Sequence, residues 1–285
     1  MKIKELRKDF LETLSGLYDS EEIVAFFYIL SENFLGLRRV DVVLALDQIV
    51  SDQQLLDFMN AKKCLENQHP IQYITGDTEF YGLSFAVNQS VLIPRPETEE
   101  LVDWIIQDFK ALEKEKTLKI LDIGTGSGCI AISLAKNLKN AKVYAMDISE
   151  KAIDTARGNA IANNVEVHFI VSNVLRLDKL PHSFDIVVSN PPYVRELEKK
   201  DIKPNVLNNE PHNALFVPDD DALIFYKKIT ELAKLDLQDD GALYFEINQY
   251  LGFETRQMIE NQGFPSVTLR KDLCANDRMI RAKLS

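Results

Sequence analysis

Apolar residues recur at helical spacing through residues 1–70: Ile23, Phe26, Phe27 and Leu30, then Val40, Val43 and Leu44, then Leu55, Leu56 and Met59. With few β-branched runs among them, these residues predict a small helical bundle. From 71 to 93 the pattern changes to aromatic and β-branched residues broken by Gly76 and Gly82, which predicts a β-hairpin linker. Pro94 to Glu100 then opens a helix, with proline near the first turn and carboxylates where the positive end of the helix dipole favours them. Leu101, Trp104, Ile105 and Phe109 supply its buried stripe. Beyond it, strands at 119–123, 142–146, 165–171, 184–189 and 242–247 alternate with helices at 128–138, 149–162, 221–235 and 252–261, followed by two terminal strands. Alternation of this kind implies βαβ units, and so an α/β domain with a mostly parallel sheet over 94–285.

Composition narrows the function classes. An apolar content of 46% supports a sizeable core in this chain of 285 residues. No apolar run approaches the roughly 20 residues of a membrane span, and the first residues lack a signal-peptide pattern, so a cytoplasmic protein without a membrane partner is expected. Cys64, Cys129 and Cys274 are odd in number and widely spaced, which predicts reduced core thiols. His69, His168, His182 and His212 have no metal-ligand spacing and read as structural or exposed. A net charge of −11, with no basic patch and a helical bundle that is itself acidic, argues against a nucleic-acid partner.

Three segments carry candidate chemistry. Asp122-Ile123-Gly124-Thr125-Gly126-Ser127-Gly128 follows a strand and opens a helix, where glycines let backbone approach a ligand closely. Cys129 stands where a dinucleotide fingerprint would want glycine, so a nicotinamide cofactor loses ground; an ordinary strand-to-helix turn stays open. Asp147 ends the next strand, about 20 residues on, where a carboxylate accepts the ribose hydroxyls of a nucleoside, or else caps the helix near Ser149. Finally, the apolar run at 184–188 stops at Asn190, and Pro191 and Pro192 then remove two backbone donors and hold φ near −65°. Asn190 is either a turn former or a polar group aimed at a ligand at the strand edge.

Asn190-Pro191-Pro192-Tyr193 after such a strand resembles the motif of S-adenosylmethionine-dependent methyltransferases that modify planar NH₂ nitrogens, on adenine, on guanine or on protein glutamine. Over nearly its full length the chain resembles the HemK/PrmC family of peptide chain release factor methyltransferases. The matching segments are Pro70 to Gly76, Val91 to Glu99, Asp122 to Gly128, Ser189 to Tyr193, Glu210-Pro211 with Ala214-Leu215, and Asp277-Arg278.

The resemblance implies a class I S-adenosylmethionine-dependent methyltransferase domain, with a Rossmann-like sheet, behind a helical domain that docks a release factor. It implies methyl transfer to the side-chain N5 of the glutamine in a Gly-Gly-Gln loop. Asp122, Gly124, Thr125, Gly126, Ser127, Gly128, Asp147, Asn173, Val174 and Asn190 would hold the cofactor. Asn190, Pro191 and Tyr193 would carry the reaction, and Leu92 and Pro192 would join them against the substrate. Two alternatives are an adenine-N6 nucleic-acid methyltransferase using the same clamp and a non-catalytic nucleoside-binding module.

The chain departs from the family at three positions. Asn173 replaces the usual aspartate near the adenine, and Asn248 and Asn276 replace glycines. Asparagine tolerates left-handed backbone, so both glycine sites are expected to keep their turns.

Overall fold

The computed structural model describes residues 1–112 and 115–285. These divide into two compact units, one of Met1–Gly76 with Lys203–Asn209 and one of Asp77–Ile202 with Glu210–Ser285. Among the described residues no helix is long and apolar enough to cross a membrane.

In the first unit, α1 (Ile3–Leu14), α2 (Ser20–Leu35), α3 (Arg39–Leu44), α4 (Asp52–Glu66) and α5 (Ile71–Thr75) surround an aromatic centre. Gly36 ends α2 at φ 66°, and Ser51 with Gln54 forms a capping box at the start of α4. The ring of Phe27 lies 5.7 Å from Phe10 and 5.6 Å from Phe58, and Phe34 lies 5.7 Å from Phe58. That centre decides which helix faces turn inward. Val40, Val43, Leu44, Leu56 and Met59, expected in the core, are exposed, whereas Val42, Phe58, Ala61 and Leu65 are buried. The run Leu55, Leu56, Phe58, Met59 offers two overlapping stripes, and the one that carries Phe58 against three other rings wins. The expected hairpin also starts later, because Ile71–Thr75 is helical and ends at Gly76 with φ 84°.

The second unit opens with the hairpin, β1 (Asp77–Phe80) antiparallel to β2 (Leu83–Ala86). Tyr81 and Gly82 between them both have positive φ, 50° and 70°, the tight turn whose twist suits a two-residue hairpin. There follow α6 (Pro96–Phe109), β3 (Leu118–Ile123), α7 (Cys129–Asn137), β4 (Ala141–Asp147), α8 (Glu150–Ala162), β5 (Val167–Val171) and β6 (Phe184–Ser189). The short β7 (Val194–Arg195) follows; α9 (Pro204–Leu207) belongs to the first unit, and α10 (His212–Leu215) and β8 (Phe216–Val217) then lead to α11 (Ile224–Asp236) and β9 (Leu237–Glu246). The chain ends with α12 (Gly252–Asn261), β10 (Ser266–Lys271) and β11 (Asp277–Lys283).

Seven strands form one sheet in the order β10-β11-β9-β6-β3-β4-β5, parallel from β9 to β5, with β11 antiparallel to β9. Both faces are covered. Ile120, Val188 and Tyr244 pack with α6 and α7, while Leu121, Val187 and Phe245 pack with α11 and α12. This explains why the central strands read as continuous apolar runs. The hairpin is held by α8, where the Asn159 side chain accepts from the Ala86 amide at 2.7 Å and donates to its carbonyl at 3.0 Å. The carboxylates of α6 make tertiary bonds as well, Glu99 accepting from the Tyr81 amide at 2.9 Å and Glu100 from the Leu273 amide at 3.1 Å.

All three cysteines are free, but Cys274 is exposed and Cys64 only partly buried, so Cys129 alone is a core thiol. Cys274 falls in the connection between β10 and β11, where its neighbour Leu273 is also exposed.

Candidate active site

From β3 the chain runs outward through β4 to β5, then returns to lay β6 on the other side of β3. The strand order therefore reverses between β3 and β6. In an open parallel sheet, the loops at the carboxyl ends of two such strands diverge and leave a crevice. Here those loops are the glycine segment after Ile123 and the Asn-Pro-Pro-Tyr segment after Ser189, and the Ser189 hydroxyl donates to the Ile123 carbonyl at 2.7 Å.

Gly124, Gly126 and Gly128 have φ of 77°, 55° and 83°, conformations that side chains resist. Their space differs. A Cβ on Gly126 would meet nothing within 4 Å, and one on Gly124 would meet only the Asn190 carbonyl oxygen, at 3.9 Å. A Cβ on Gly128 would collide with Ile132 at 2.9 Å and Ala156 at 3.1 Å, so this glycine serves the packing of α7 on α8. Asp147 closes the loop from the side: one carboxylate oxygen accepts from the Gly126 amide and the other from the Ser149 amide, each at 2.9 Å. Each oxygen keeps a further lone pair, which suits the two hydroxyls of a ribose.

Beneath the loop Asp122 is fully buried. One oxygen accepts from the Thr125 hydroxyl at 2.6 Å and from the Ala131 amide at 3.3 Å, while the other has no partner. Burial pushes its carboxyl up to about 7, and burial likewise pushes the Cys129 thiol up to about 12, which makes that thiol unreactive.

A cavity of about 240 Å³ joins the two loops. Gly124, Gly126, Asp147, Asn173, Val174, Asn190, Pro191, Pro192 and Leu92 line it, so these sequence-derived candidates come together. Asp122, Thr125, Ser127, Gly128 and Tyr193 are not in its wall. The first four shape the loop from behind. Tyr193, expected to carry the reaction with Asn190 and Pro191, instead packs partly buried against the core, and its hydroxyl donates to Glu246 at 3.3 Å. Asn173 starts a short 3-10 turn with its side-chain oxygen accepting from the Leu175 amide at 3.0 Å. Neither Asn248 nor Asn276 has positive φ; the left-handed residue of the last turn is Ala275, at 64°. Asn248 is buried and donates to the Tyr193 carbonyl at 3.1 Å.

Sequence reasoning missed further wall residues, among them Ile148, Leu175, Asn213 and Phe225. Ile148 follows Asp147 directly, so a local reading outward from that carboxylate could have found it. Asn213 and Phe225 come from α10 and α11, and no local pattern marks them. The apolar and backbone surfaces around Asp147 and the two open glycines fit a nucleoside cofactor, and the donor set includes no group of three or more metal-ligating side chains among the described residues.

Comparison with known proteins bears on the whole chain. Residues 5–76 match the PrmC N-terminal domain, and residues 108–214 match the methyltransferase small domain. The release factor glutamine methyltransferase of Flavobacterium psychrophilum is 56% identical over 281 residues, 99% of either chain. That of Bacteroides thetaiotaomicron is 44% identical over 272 residues, 95% of this chain and 96% of its own. Among solved structures, the hMettl16 catalytic domain in complex with an RNA hairpin of the MAT2A 3′ untranslated region shares the fold, with a TM-score of 0.59 at 17% identity over 91% of both chains. The chain belongs to the release factor glutamine methyltransferase family.

Proposed function

We propose that the protein transfers a methyl group from S-adenosylmethionine to the side-chain amide nitrogen of the glutamine in the Gly-Gly-Gln loop of peptide chain release factors. One observation carries the residue-level reading. The Asn190 amide sits in the cavity wall with its NH₂ turned away to the Thr98 hydroxyl at 3.3 Å, and among the described residues nothing donates to its carbonyl oxygen.

When bound, S-adenosylmethionine supplies a methyl group already activated by its sulfonium. Gly124, Gly126 and Asp147 would hold its nucleoside, with Val174 and Asn173 beside them in the cavity wall. The substrate is the harder partner, because a carboxamide nitrogen is a weak nucleophile whose lone pair is delocalised into its carbonyl. Asn190 Oδ1 and the Pro191 main-chain carbonyl accept its two N–H bonds and turn the remaining lone pair toward the methyl. Both acceptors also face the positive charge that develops on nitrogen, an arrangement that stabilises the transition state more than the ground state. Proline suits this task, since it has no N–H to compete and its ring holds the carbonyl still. The methylated nitrogen is acidic enough to lose its proton to water, so no general base is required. Leu92 and Pro192 confine the glutamine side chain, and the helical unit docks the rest of the factor. A substrate of this kind puts the enzyme in the cytoplasm, and the charge of −11 disfavours nucleic acid in its place.

The test is to incubate the protein with methyl-labelled cofactor, purified release factors, RNA and DNA, and to locate the label by mass spectrometry. Label confined to the Gly-Gly-Gln glutamine is expected. Label on nucleic acid, or elsewhere on the factor, contradicts the reading.

A further inference from the structure

The two ends of a carboxamide have nearly the same shape, yet turning one over exchanges an acceptor for two donors. The role given to Asn190 therefore depends on what fixes the direction of its amide, and the Asn-Pro-Pro-Tyr segment does not. The register of the sheet supplies the missing part. Ser189 on β6 lies opposite Phe245 on β9, so the next residues, Asn190 just beyond β6 and Glu246 at the end of β9, are neighbours across the two strands. Thr98, in the first turn of α6, is buried between them.

Its hydroxyl donates to Glu246 Oε2 at 2.5 Å and accepts from Asn190 Nδ2 at 3.3 Å. A hydroxyl has one proton. With that proton committed to the carboxylate, Thr98 presents only lone pairs to Asn190, and a reversed amide would set oxygen against oxygen. Glu246 is 1% exposed, and its other oxygen accepts from the Tyr193 hydroxyl at 3.3 Å. One buried carboxylate thus aligns both ends of the segment, the asparagine through Thr98 and the tyrosine directly. A carboxylate so deep is costly unless its bonds are made, which is a reason to look for a task at this position.

We infer that Thr98 and Glu246 are positioning residues for the methyl transfer: together they hold the Asn190 amide with its carbonyl oxygen facing the substrate and its NH₂ facing the protein. Neither lines the cavity, so both act through Asn190. The inference rests on the functional reading above and adds to it the residues that make the clamp one-directional.

Thr98→Val keeps the shape of the side chain and removes both hydrogen bonds, whereas Thr98→Ser keeps the hydroxyl. The experiment compares these and Thr98→Ala with wild type for turnover on release factor, cofactor affinity by calorimetry and thermal unfolding. Thr98→Val should lower kcat by about tenfold or more, with cofactor affinity changed by no more than about twofold. Thr98→Ser should recover kcat to within about threefold of wild type. Thr98→Ala guards against strain from the valine and should show the same loss. Wild-type kcat in folded Thr98→Val, or a serine variant as impaired as the valine one, overturns the inference while leaving the functional reading in place. Loss of cofactor affinity in step with kcat overturns it as well, because it would show a general loosening of the site. A wild-type protein that labels no release factor removes the functional reading, and the inference goes with it.

Discussion

The two loops that meet at the cavity solve different problems. The glycine loop needs a shape, three left-handed residues and a close approach to a ligand: the glycines between Asp122 and Gly128 permit that backbone, and the Met146 carbonyl, Asp147 and Asn159 brace it from outside. The Asn-Pro-Pro-Tyr loop needs a direction, the orientation of one amide, and its own residues do not set it. In the inference drawn above, Thr98 from α6 and Glu246 from β9 do so. Backbone shape can be encoded locally, because glycine and proline act on their own φ. The direction of a side chain that is nearly symmetric in outline is decided by whichever donors and acceptors the fold brings beside it.

If the loops divide the work in this way, substitutions should separate binding from chemistry. Asn190→Ala should lower methyl transfer by a factor on the order of 100 or more while leaving cofactor affinity intact. Parallel loss of both would merge the two loops into one function. Asp147→Ala should do the reverse and weaken cofactor binding by roughly 1 to 3 kcal/mol, the scale for hydrogen bonds to charged groups. Unchanged calorimetric affinity would remove the ribose role of that carboxylate.

A third substitution probes the base of the glycine loop. Burial raises the Asp122 carboxyl from 3.8 to about 7, so between those values the unfolded chain releases a proton that the native protein keeps. Stability from this group is therefore lost as pH rises through that window, and the penalty is constant above it. Asp122→Asn abolishes the titration, so its stability relative to wild type should climb with pH by up to about 1.4 kcal/mol per unit within the window. Denaturant unfolding measures it, and a difference independent of pH contradicts the burial argument. The smallest effect is expected at Asn173, whose oxygen already serves the Leu175 amide. Asn173→Asp retains that acceptor and adds a second carboxylate oxygen, so cofactor affinity should stay equal or tighten by at most about tenfold. Clear weakening would mean that the amide NH₂ makes a contact of its own.

The same contrast explains what the sequence shows and what it conceals. The parallel strands are legible because burial on both faces makes each an apolar run, and α8 carries its own cap at Ser149. The inward face of α4 is not, since Leu55, Leu56, Phe58 and Met59 allow two stripes and only the rings of Phe10, Phe27 and Phe34 choose between them. The glycines, Asp147 and Asn190 stand out by residue type and place. Thr98 reads as one polar residue in an acidic first turn, and Glu246 as the end of an apolar strand. Their hydrogen bond spans 148 positions, and no spacing rule reaches that far. Asn248 misled for a related reason: asparagine in place of glycine suggests a left-handed turn, whereas here it is used for its side-chain donor.

The most direct test of the amide clamp changes the substrate and leaves the protein intact. A release factor whose Gly-Gly-Gln glutamine is replaced by glutamate keeps nearly the same shape but offers oxygens where the clamp requires N–H donors, so the acceptors at Asn190 and Pro191 would face further acceptors. Incubated with wild-type protein and labelled cofactor beside the native factor, it should take up no label while the native factor is methylated. Equal labelling of the two factors would contradict the account.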